Sequence, residues 1–221
     1  HAYSLDSTKL RTNPAIGNGV LAGNPLHEDM CEAASLVNNL FMVNLVMNAD
    51  MKLSYIFSGH YLTSWERACT AVDDIYRVDI PCRADAVVTS CGGFPKDISL
   101  YQGTKTIDNV ESALKPGGTL VLMIAPEGGG PAEYFDWSKN LQDGSIEQRL
   151  REAFTVAGYI FFLNCEQAQR YRIFMYSSID PQTVAPMGIH AFSDMDALLK
   201  AAELDGKSTY IIPNGSTVIP R

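Results

Sequence analysis

The N-terminal third of the chain combines a polar stretch with apolar segments, some at helical spacing and some in continuous strand-like runs. Residues 1–24 are rich in Asn, Gly, Ser and Thr and predict a loop. Between residues 28 and 40, apolar positions recur at helical spacing behind an acidic first turn, which favours the positive end of a helix dipole. Residues 41–47 and 52–57 are apolar runs joined by a polar turn, which predicts a β-hairpin. Residues 61–76 return to helical spacing, so we expect helix, hairpin, helix.

The rest of the chain alternates short apolar runs with helical segments. The predicted strands are residues 86–89, 119–124, 173–176 and 210–212, and the predicted helices are residues 100–114, 133–141, 146–157, one more before residue 173, and 194–204 capped by Ser193. Continuous apolar strands separated by helices are typical of a parallel sheet covered on both faces. We therefore predict a Rossmann-like α/β domain over residues 85–221. Residues 1–84 are predicted to end an incomplete N-terminal lobe.

The charge of the chain limits its partners. Its formal net charge is -8 and no Lys/Arg cluster occurs, which argues against a nucleic acid or an anionic membrane as partner. A small anionic ligand remains open because it responds to local charge. No apolar run reaches the roughly 18 residues that a membrane helix needs. The start at His1, without Met or a signal-peptide pattern, indicates an excised fragment.

The cysteines indicate the compartment. They are Cys31, Cys69, Cys82, Cys91 and Cys165. Their number is odd and none has the spacing of a CxxC pair or of another metal-ligand motif. We therefore expect reduced, mostly buried thiols in a cytoplasmic protein.

The most informative stretch is residues 92–105, GGFPKDISLYQGTK, which follows a predicted parallel strand. Open α/β sheets bind ligands at this end of their strands. Gly92 and Gly93 permit positive φ and close approach of the backbone to a ligand. Gln102 and Lys105 share one face of the next helix, where an amide, a cation and the positive helix end form a cradle for a carboxylate. The alternative is a tight turn before a solvated lysine, and the residues alone leave both open.

Several motifs in order resemble the nickel-dependent lactate racemase family. The GGFPKDISLYQGTK stretch is similar to the family's Gly-Gly-aromatic-Pro, Tyr-Gln and Lys signature. The other similar segments are the Gly-Asn-Pro stretch at 23–29, the strand 41–47 with Asn44, the Lys-Pro-Gly-Gly of 115–118 and the glycine-rich loop near Gly128. The similarity runs from about residue 23 to the C-terminus and is densest up to Phe135.

The resemblance implies the C-terminal half of a two-lobed enzyme with its active site between the lobes. It implies a nickel-pincer nucleotide, held mostly by the absent N-terminal lobe, and hydride transfer to and from a small anionic 2-hydroxy acid. The residues carried over by position are Lys105 and Gln102 for catalysis, Tyr101, Gln102, Lys105 and Tyr159 for substrate binding, and Gly92 and Gly93 for cofactor binding.

Two departures from the family pattern concern the substrate. After the hairpin, the family's Ala-Gly-Asp and Ala-His are replaced by Ser58-Gly59-His60 and Ser64-Trp65. The family also places a tryptophan ahead of the strand predicted at 173–176, and Tyr159 matches it only loosely. These changes predict a larger or more acidic 2-hydroxy acid than lactate. The family's cofactor-anchoring lysine and paired catalytic histidines have no counterpart here, so we expect the chain alone to be inactive. His1 is a weak candidate for a nickel ligand, and the metal ligands are otherwise unknown.

Other assignments remain open at this point. Residues 114–122 are similar to a late strand of S-adenosylmethionine-dependent methyltransferases, but no early acidic, glycine-rich cofactor loop is present. A non-catalytic module that binds small anions through Gln102 and Lys105 is the other alternative. The four histidines, His1, His27, His60 and His190, do not pair at metal-ligand spacing, so no metal site is expected from this chain alone.

Overall fold

The computed structural model describes residues 15–126, 129 and 132–221. Its N-terminal unit consists of helix α1 (Pro25–Ser35), strands β1 (Phe41–Met47) and β2 (Leu53–His60), and helix α2 (Tyr61–Tyr76). The predicted hairpin and second helix are confirmed. Most of the predicted loop at 1–24 lies outside the described residues.

Helix α1 is shifted towards the N-terminus from its predicted position at 28–40. It begins early because the Asn24 side chain accepts a hydrogen bond from the Leu26 N–H and Pro25 fits the first turn. It ends at Ser35 rather than at residue 40, and Asn39 adopts a left-handed φ of 58° just before β1. The helical spacing of apolar residues continues to Leu40, although the helix itself ends at Ser35.

Helix α2 covers one face of the hairpin. Val46 of β1 packs with Ala68 and Ala71 of α2, and these three side chains are buried. The Tyr76 hydroxyl donates to the Met47 carbonyl at 2.6 Å, which ties the end of the helix to the end of β1. The opposite face of the hairpin exposes its large apolar side chains, Phe41, Val43, Leu45 and Ile56. We call these four residues the open hairpin face.

The remaining chain forms a five-stranded sheet. Its strands are β4 (Ala84–Ser90), β5 (Leu114–Met123), β6 (Arg172–Tyr176), β7 (Ile189–Phe192) and β8 (Thr209–Ile212). They lie in the order β7-β6-β5-β4-β8, and every neighbouring pair is parallel. Two short strands, β3 (Arg77–Val78) and β9 (Ile219–Pro220), pair separately in parallel.

Helices cover both faces of this sheet. They are α3 (Leu100–Gly103), α4 (Lys105–Val110), α5 (Ala132–Phe135), α6 (Ser138–Gln142), α7 (Ile146–Glu152), α8 (Val156–Arg170), α9 (Pro181–Val184) and α10 (Met195–Ala202). Leu120 and Leu122 of β5 point into the larger core with Phe161 of α8. Val121 points to the other face, where it packs with Leu198 of α10. The prediction of a parallel sheet with helices on both faces, preceded by an α+β segment, is confirmed.

Local details differ from the sequence predictions. The predicted helix at 100–114 is divided into α3, α4 and a 3-10 turn, Glu111–Ala113. Strand β5 begins at Leu114, which pairs with Ala84 before an irregularity in the register, so the Lys-Pro-Gly-Gly sequence lies inside the strand. Helix α10 is capped by the Asp194 carboxylate, which accepts from the Ala197 N–H at 2.7 Å, rather than by Ser193.

The cysteines are less buried than predicted. All five thiols are free, but only Cys91 and Cys165 are buried, while Cys31 and Cys69 are half-buried and Cys82 is exposed. Within the described ranges, no helix has both the length and the apolar character to cross a membrane.

Candidate functional site

The strand order creates a ligand-binding position next to β4. Strands β5, β6 and β7 follow one another on one side of β4, whereas β8 lies on its other side. The order therefore reverses between β4 and β8, and open α/β sheets bind ligands outside the carboxyl ends of the strands at such a point. The GGFPKDISLYQGTK segment follows β4 at this end, and the segment with Asn214 follows β8 there.

The paired glycines have the backbone conformation that the sequence predicts. Gly92 has a φ of 89° and Gly93 a φ of 79°, both in the region that favours glycine. A Cβ on Gly92 would lie 2.7 Å from Asn214 Oδ1, so a larger residue would have to displace that side chain in addition to straining the backbone. A Cβ on Gly93 would meet no atom within 4 Å, so the Gly93 backbone is open to a ligand. Cofactor binding by these glycines stays a prediction.

Hydrogen bonds from neighbouring segments fix the loop after β4. Ser216 Oγ donates to the Cys91 carbonyl at 2.5 Å, and Ser90 Oγ donates to the Pro213 carbonyl at 2.5 Å. On the other side, the nearly buried Asp97 carboxylate accepts from the Ala125 N–H at 3.2 Å. The loop is therefore held between the segments that follow β8 and β5, and its backbone is positioned before any ligand arrives.

Gln102 and Lys105 meet as the sequence predicts. Lys105 Nζ donates to Gln102 Oε1 at 3.0 Å, and the same ammonium lies over the Tyr101 ring, 4.4 Å from its centre. The helix is interrupted between them, because Thr104 separates α3 from α4 and its hydroxyl donates to the Leu100 carbonyl at 3.0 Å. The turn stays right-handed at Thr104, with φ -68° and ψ -17°, so both side chains still share one face.

The positive helix end contributes less than the sequence predicts. Helix α3 has four residues, and its Gln102 N–H donates to the Ser99 hydroxyl at 3.3 Å. A ligand would therefore rely on side-chain donors: the Gln102 amide NH₂ and the free N–H groups of the Lys105 ammonium. An amide and a cation side by side match the two oxygens of a carboxylate.

A buried polar chain supports the Tyr101 ring from behind. Tyr101 meets the edge of Tyr134, with ring centres 6.4 Å apart, and Tyr134 is fully buried. The Tyr134 hydroxyl donates to Asn164 Oδ1 at 2.8 Å, and Asn164 Nδ2 donates to Gln167 Oε1 at 2.9 Å. Burial raises the pKa of Tyr134, so its hydroxyl stays a donor at neutral pH.

The polar chain ends at two carboxylates near the amino ends of the strands. Gln167 Nε2 donates to Asp108 Oδ1 at 2.6 Å, and Arg170 pairs with Glu111 at 3.1 Å. Burial and then the charge of Glu111 raise the pKa of Asp108 to about 6. Asp108, Glu111 and Arg170 line a cavity of about 620 Å³ at the amino ends of the strands. This cavity lies away from the predicted substrate residues, which follow the carboxyl end of β4.

Tyr159 and Trp65 have local packing partners. Tyr159 lies in α8, with its ring centre 6.0 Å from that of Phe154 and its side chain against the main core. Because α8 packs against α3, Tyr159 lies on a helix next to the one that bears Tyr101 and Gln102. Its role in substrate binding stays a prediction. Trp65 stacks on His27, with ring centres 4.5 Å apart.

The histidines are dispersed. His60 is exposed at the start of α2, with its ring 4.6 Å from that of Tyr61. His190 is exposed in β7, and His1 lies outside the described residues. In the part of the chain that the structure describes, no three His, Cys, Asp or Glu side chains form a group suited to a metal ion.

Sequence reasoning missed Lys96. This lysine is half-buried, and its Nζ lies 3.5 Å from the position that a Cβ on Gly92 would occupy. Within the described ranges, no hydrogen bond or ion pair engages the ammonium. The sequence places a lysine four residues after Gly92, in GGFPK. Only the fold of the loop shows that its side chain turns back over Gly92.

Comparison with known proteins identifies the family. A sequence model described as the lactate racemase C-terminal domain matches residues 80–220. The chain belongs to the lactate racemase C-terminal domain family. This membership disfavours the methyltransferase alternative, and the Lys-Pro-Gly-Gly segment that suggested it lies at the amino end of β5, away from Gly92.

Two curated relatives of this domain are lactate racemases. The chain is 29% identical over 219 residues to the lactate racemase of Thermoanaerobacterium thermosaccharolyticum, covering 95% of this chain and 51% of the relative. It is 26% identical over 230 residues to that of Lactiplantibacillus plantarum, covering 97% of this chain and 51% of the relative. The chain thus spans about half the length of the curated relatives it matches.

Solved structures agree with the fold of this lactate racemase domain. The lactate racemase apoprotein from Thermoanaerobacterium thermosaccharolyticum superposes with a TM-score of 0.82 at 28% identity, covering 95% of this chain and 52% of that one. A protein from Thermotoga maritima superposes with a TM-score of 0.61 at 16% identity, covering 90% and 54% of the two chains, which shows a shared fold alone.

Proposed function

We propose that this chain is the C-terminal part of an isomerase that racemises or epimerises a 2-hydroxy acid. The observation on which the proposal rests is the Gln102–Lys105 pair, with Lys105 Nζ 3.0 Å from Gln102 Oε1, at the carboxyl edge of a lactate racemase C-terminal domain. Lys105 and the Gln102 amide bind the substrate carboxylate, and Tyr101 forms the wall of the pocket beside them. The same ammonium stabilises negative charge that shifts onto substrate oxygens during the reaction.

The donors are already oriented for this task. Gln102 accepts from Lys105 through Oε1, so its NH₂ group points its protons elsewhere, while Lys105 keeps further N–H donors beyond the one that it shares with Gln102. The Tyr101 ring and the Gln102 oxygen together restrict the Lys105 side chain, which lowers the entropy lost when a carboxylate binds. Tyr134 in turn fixes Tyr101.

The residues of this domain fit one side of a cofactor site but not its metal ligands. The open backbone at Gly93 and the positive φ of Gly92 allow a flat cofactor ring to approach closely. In the described ranges no group of metal-binding side chains is present, so nickel would be held by the rest of the protein. The nickel-pincer nucleotide of the family supplies a hydride acceptor when bound. The chain's own part is to hold the carboxylate and the α-carbon in a fixed position.

The proposal predicts that the full-length protein is active and that the 221-residue chain alone is inert. Both forms would be incubated with purified cofactor and each enantiomer of a panel of 2-hydroxy acids, and formation of the opposite enantiomer would be followed by chiral chromatography. His60 and Trp65, at the positions of the family's acid and histidine, predict better kcat/KM for larger or more acidic acids than for lactate. Turnover by the 221-residue chain alone would contradict the proposal that catalysis needs residues outside this chain. Carboxylate binding without turnover by the full-length protein would favour the anion-binding module.

A further inference from the structure

Two polar side chains from different segments, Lys96 and Asn214, approach the same glycine, Gly92. Lys96 Nζ and Asn214 Oδ1 lie 3.5 Å and 2.7 Å from the position that a Cβ on Gly92 would take. Lys96 comes from the loop after β4 and Asn214 from the segment after β8, so they approach Gly92 from both sides of the point where the strand order reverses. Among the residues that the structure describes, neither side chain is engaged by a hydrogen bond or ion pair.

The backbone beside Gly92 touches the backbone that bears Gln102. The Cys91 thiol, which precedes Gly92, donates to the carbonyl of Gly103 at 3.3 Å. Gly103 directly follows Gln102, so the two polar pairs project from backbone segments that touch. The space beside Gly93 is open, and Phe94 next to it exposes 70% of its surface. A small molecule can therefore reach both pairs at the same end of the sheet.

We propose that Lys96, assisted by Asn214, binds a second anionic group of the substrate. The substrate class is then a 2-hydroxy acid with a second carboxylate rather than a monocarboxylate such as lactate. This inference rests on the proposed function, since Gln102 and Lys105 hold the first carboxylate. A half-buried ammonium loses part of its hydration, and a ligand carboxylate restores a charge-assisted hydrogen bond at that place. Asn214 presents Oδ1 to this place, and rotation of its amide would turn the Nδ2 donor towards the same anion.

The test is direct binding to the full-length protein without cofactor, where no turnover occurs. The ligands are lactate and 2-hydroxysuccinate, which differ by one carboxylate, and affinity is measured by titration calorimetry. Wild-type protein is expected to bind 2-hydroxysuccinate at least tenfold more tightly. Lys96→Met should weaken 2-hydroxysuccinate by about ten- to a hundredfold and leave lactate within a factor of two. Lys96→Arg should retain most of the affinity, and Asn214→Ala should lose less than Lys96→Met.

Comparison of Lys96→Met with Lys105→Met separates this inference from the proposed function. Lys105→Met should weaken both ligands equally, because it removes a contact to the carboxylate that they share. If Lys96→Met weakens neither ligand, or both by the same factor, the second anion site is wrong even when Lys105→Met behaves as expected. If Lys105→Met leaves both ligands unchanged while Lys96→Met affects 2-hydroxysuccinate, the proposed function fails and the second site stands. Failure of wild-type protein to bind either ligand overturns both.

Discussion

The two parts of this chain use their apolar residues in opposite ways. In the α/β domain, residues of one strand such as Leu120 and Val121 point to opposite faces, and helices bury both. In the N-terminal hairpin, Val46 is 3% exposed against α2, whereas its neighbour Leu45 is 61% exposed on the open hairpin face. The apolar core between the hairpin and α2 is small, with only Val46, Ala68 and Ala71 buried in it among the residues described. Stability is therefore expected to be concentrated in the α/β domain, which also contains the candidate substrate residues.

Phe161→Ala gives the largest expected effect. Phe161 is fully buried in the main core and contacts the Tyr134 ring at 5.2 Å between centres. Its truncation leaves a cavity and should lower the free energy of unfolding of the α/β domain by about 3–5 kcal/mol. Urea unfolding would be followed through Trp137, which packs against Gly158 in this domain, in a background where Trp65 is replaced by Phe. Val156→Ala, at an exposed position of the same helix, is the control and should cost less than about 0.5 kcal/mol.

Asp108→Asn tests the buried polar chain inside the α/β domain. The pKa of Asp108 is raised from 3.8 to about 6, so the folded protein retains a proton that the unfolded chain releases near pH 4. Its contribution is fully present below pH 4 and is lost as pH rises through 6, an effect of up to about 3 kcal/mol. Asp108→Asn keeps an oxygen for Gln167 and should raise stability at pH 7.5 while flattening the change between pH 4 and 6. Identical pH profiles for wild type and variant would show that folding does not raise the pKa of Asp108.

Val46→Ala and Leu45→Ala sharpen the contrast within one strand. Val46→Ala removes two buried methyl groups and should cost the hairpin unit about 1–3 kcal/mol. Leu45→Ala in the 221-residue chain should cost less than about 0.5 kcal/mol, because the side chain is already in water. Trp65 in α2 reports on this unit when Trp137 is replaced by Phe. Equal costs for the two substitutions would mean that the open hairpin face is covered in solution.

The elements were predictable where local pattern and tertiary packing agree. The bounds of α2 and β1 follow from the spacing of apolar residues, because each packs one regular face on the other. The helix predicted at 100–114 is helical over most of this range but is divided at Thr104, beside Gly103, which packs closely against Ile124 of another segment. The spacing of apolar residues contains no information on that contact.

The candidate site was predictable in its residues but not in its surroundings. Gln102 and Lys105 are close in sequence, so helical spacing was enough to bring them together. The approach of Asn214 to Gly92 depends on β8 pairing with β4, a contact between segments more than a hundred residues apart, and that of Lys96 depends on the fold of the loop. Periodicity predicts strands but does not give their order in a sheet. The support of Tyr101 by Tyr134 and Asn164 is long-range for the same reason.

Lys105→Met in the full-length enzyme tests the central claim most directly. The change keeps the stem of the side chain and its helix propensity but removes the charge. Loss of a charge-assisted hydrogen bond worth about 1.5–3 kcal/mol should lower kcat/KM for the preferred 2-hydroxy acid about ten- to a hundredfold. The melting temperature should stay close to that of wild type, as in the control Lys200→Met on α10, which should keep full activity. Activity of Lys105→Met within a factor of about two of wild type would place the substrate carboxylate elsewhere.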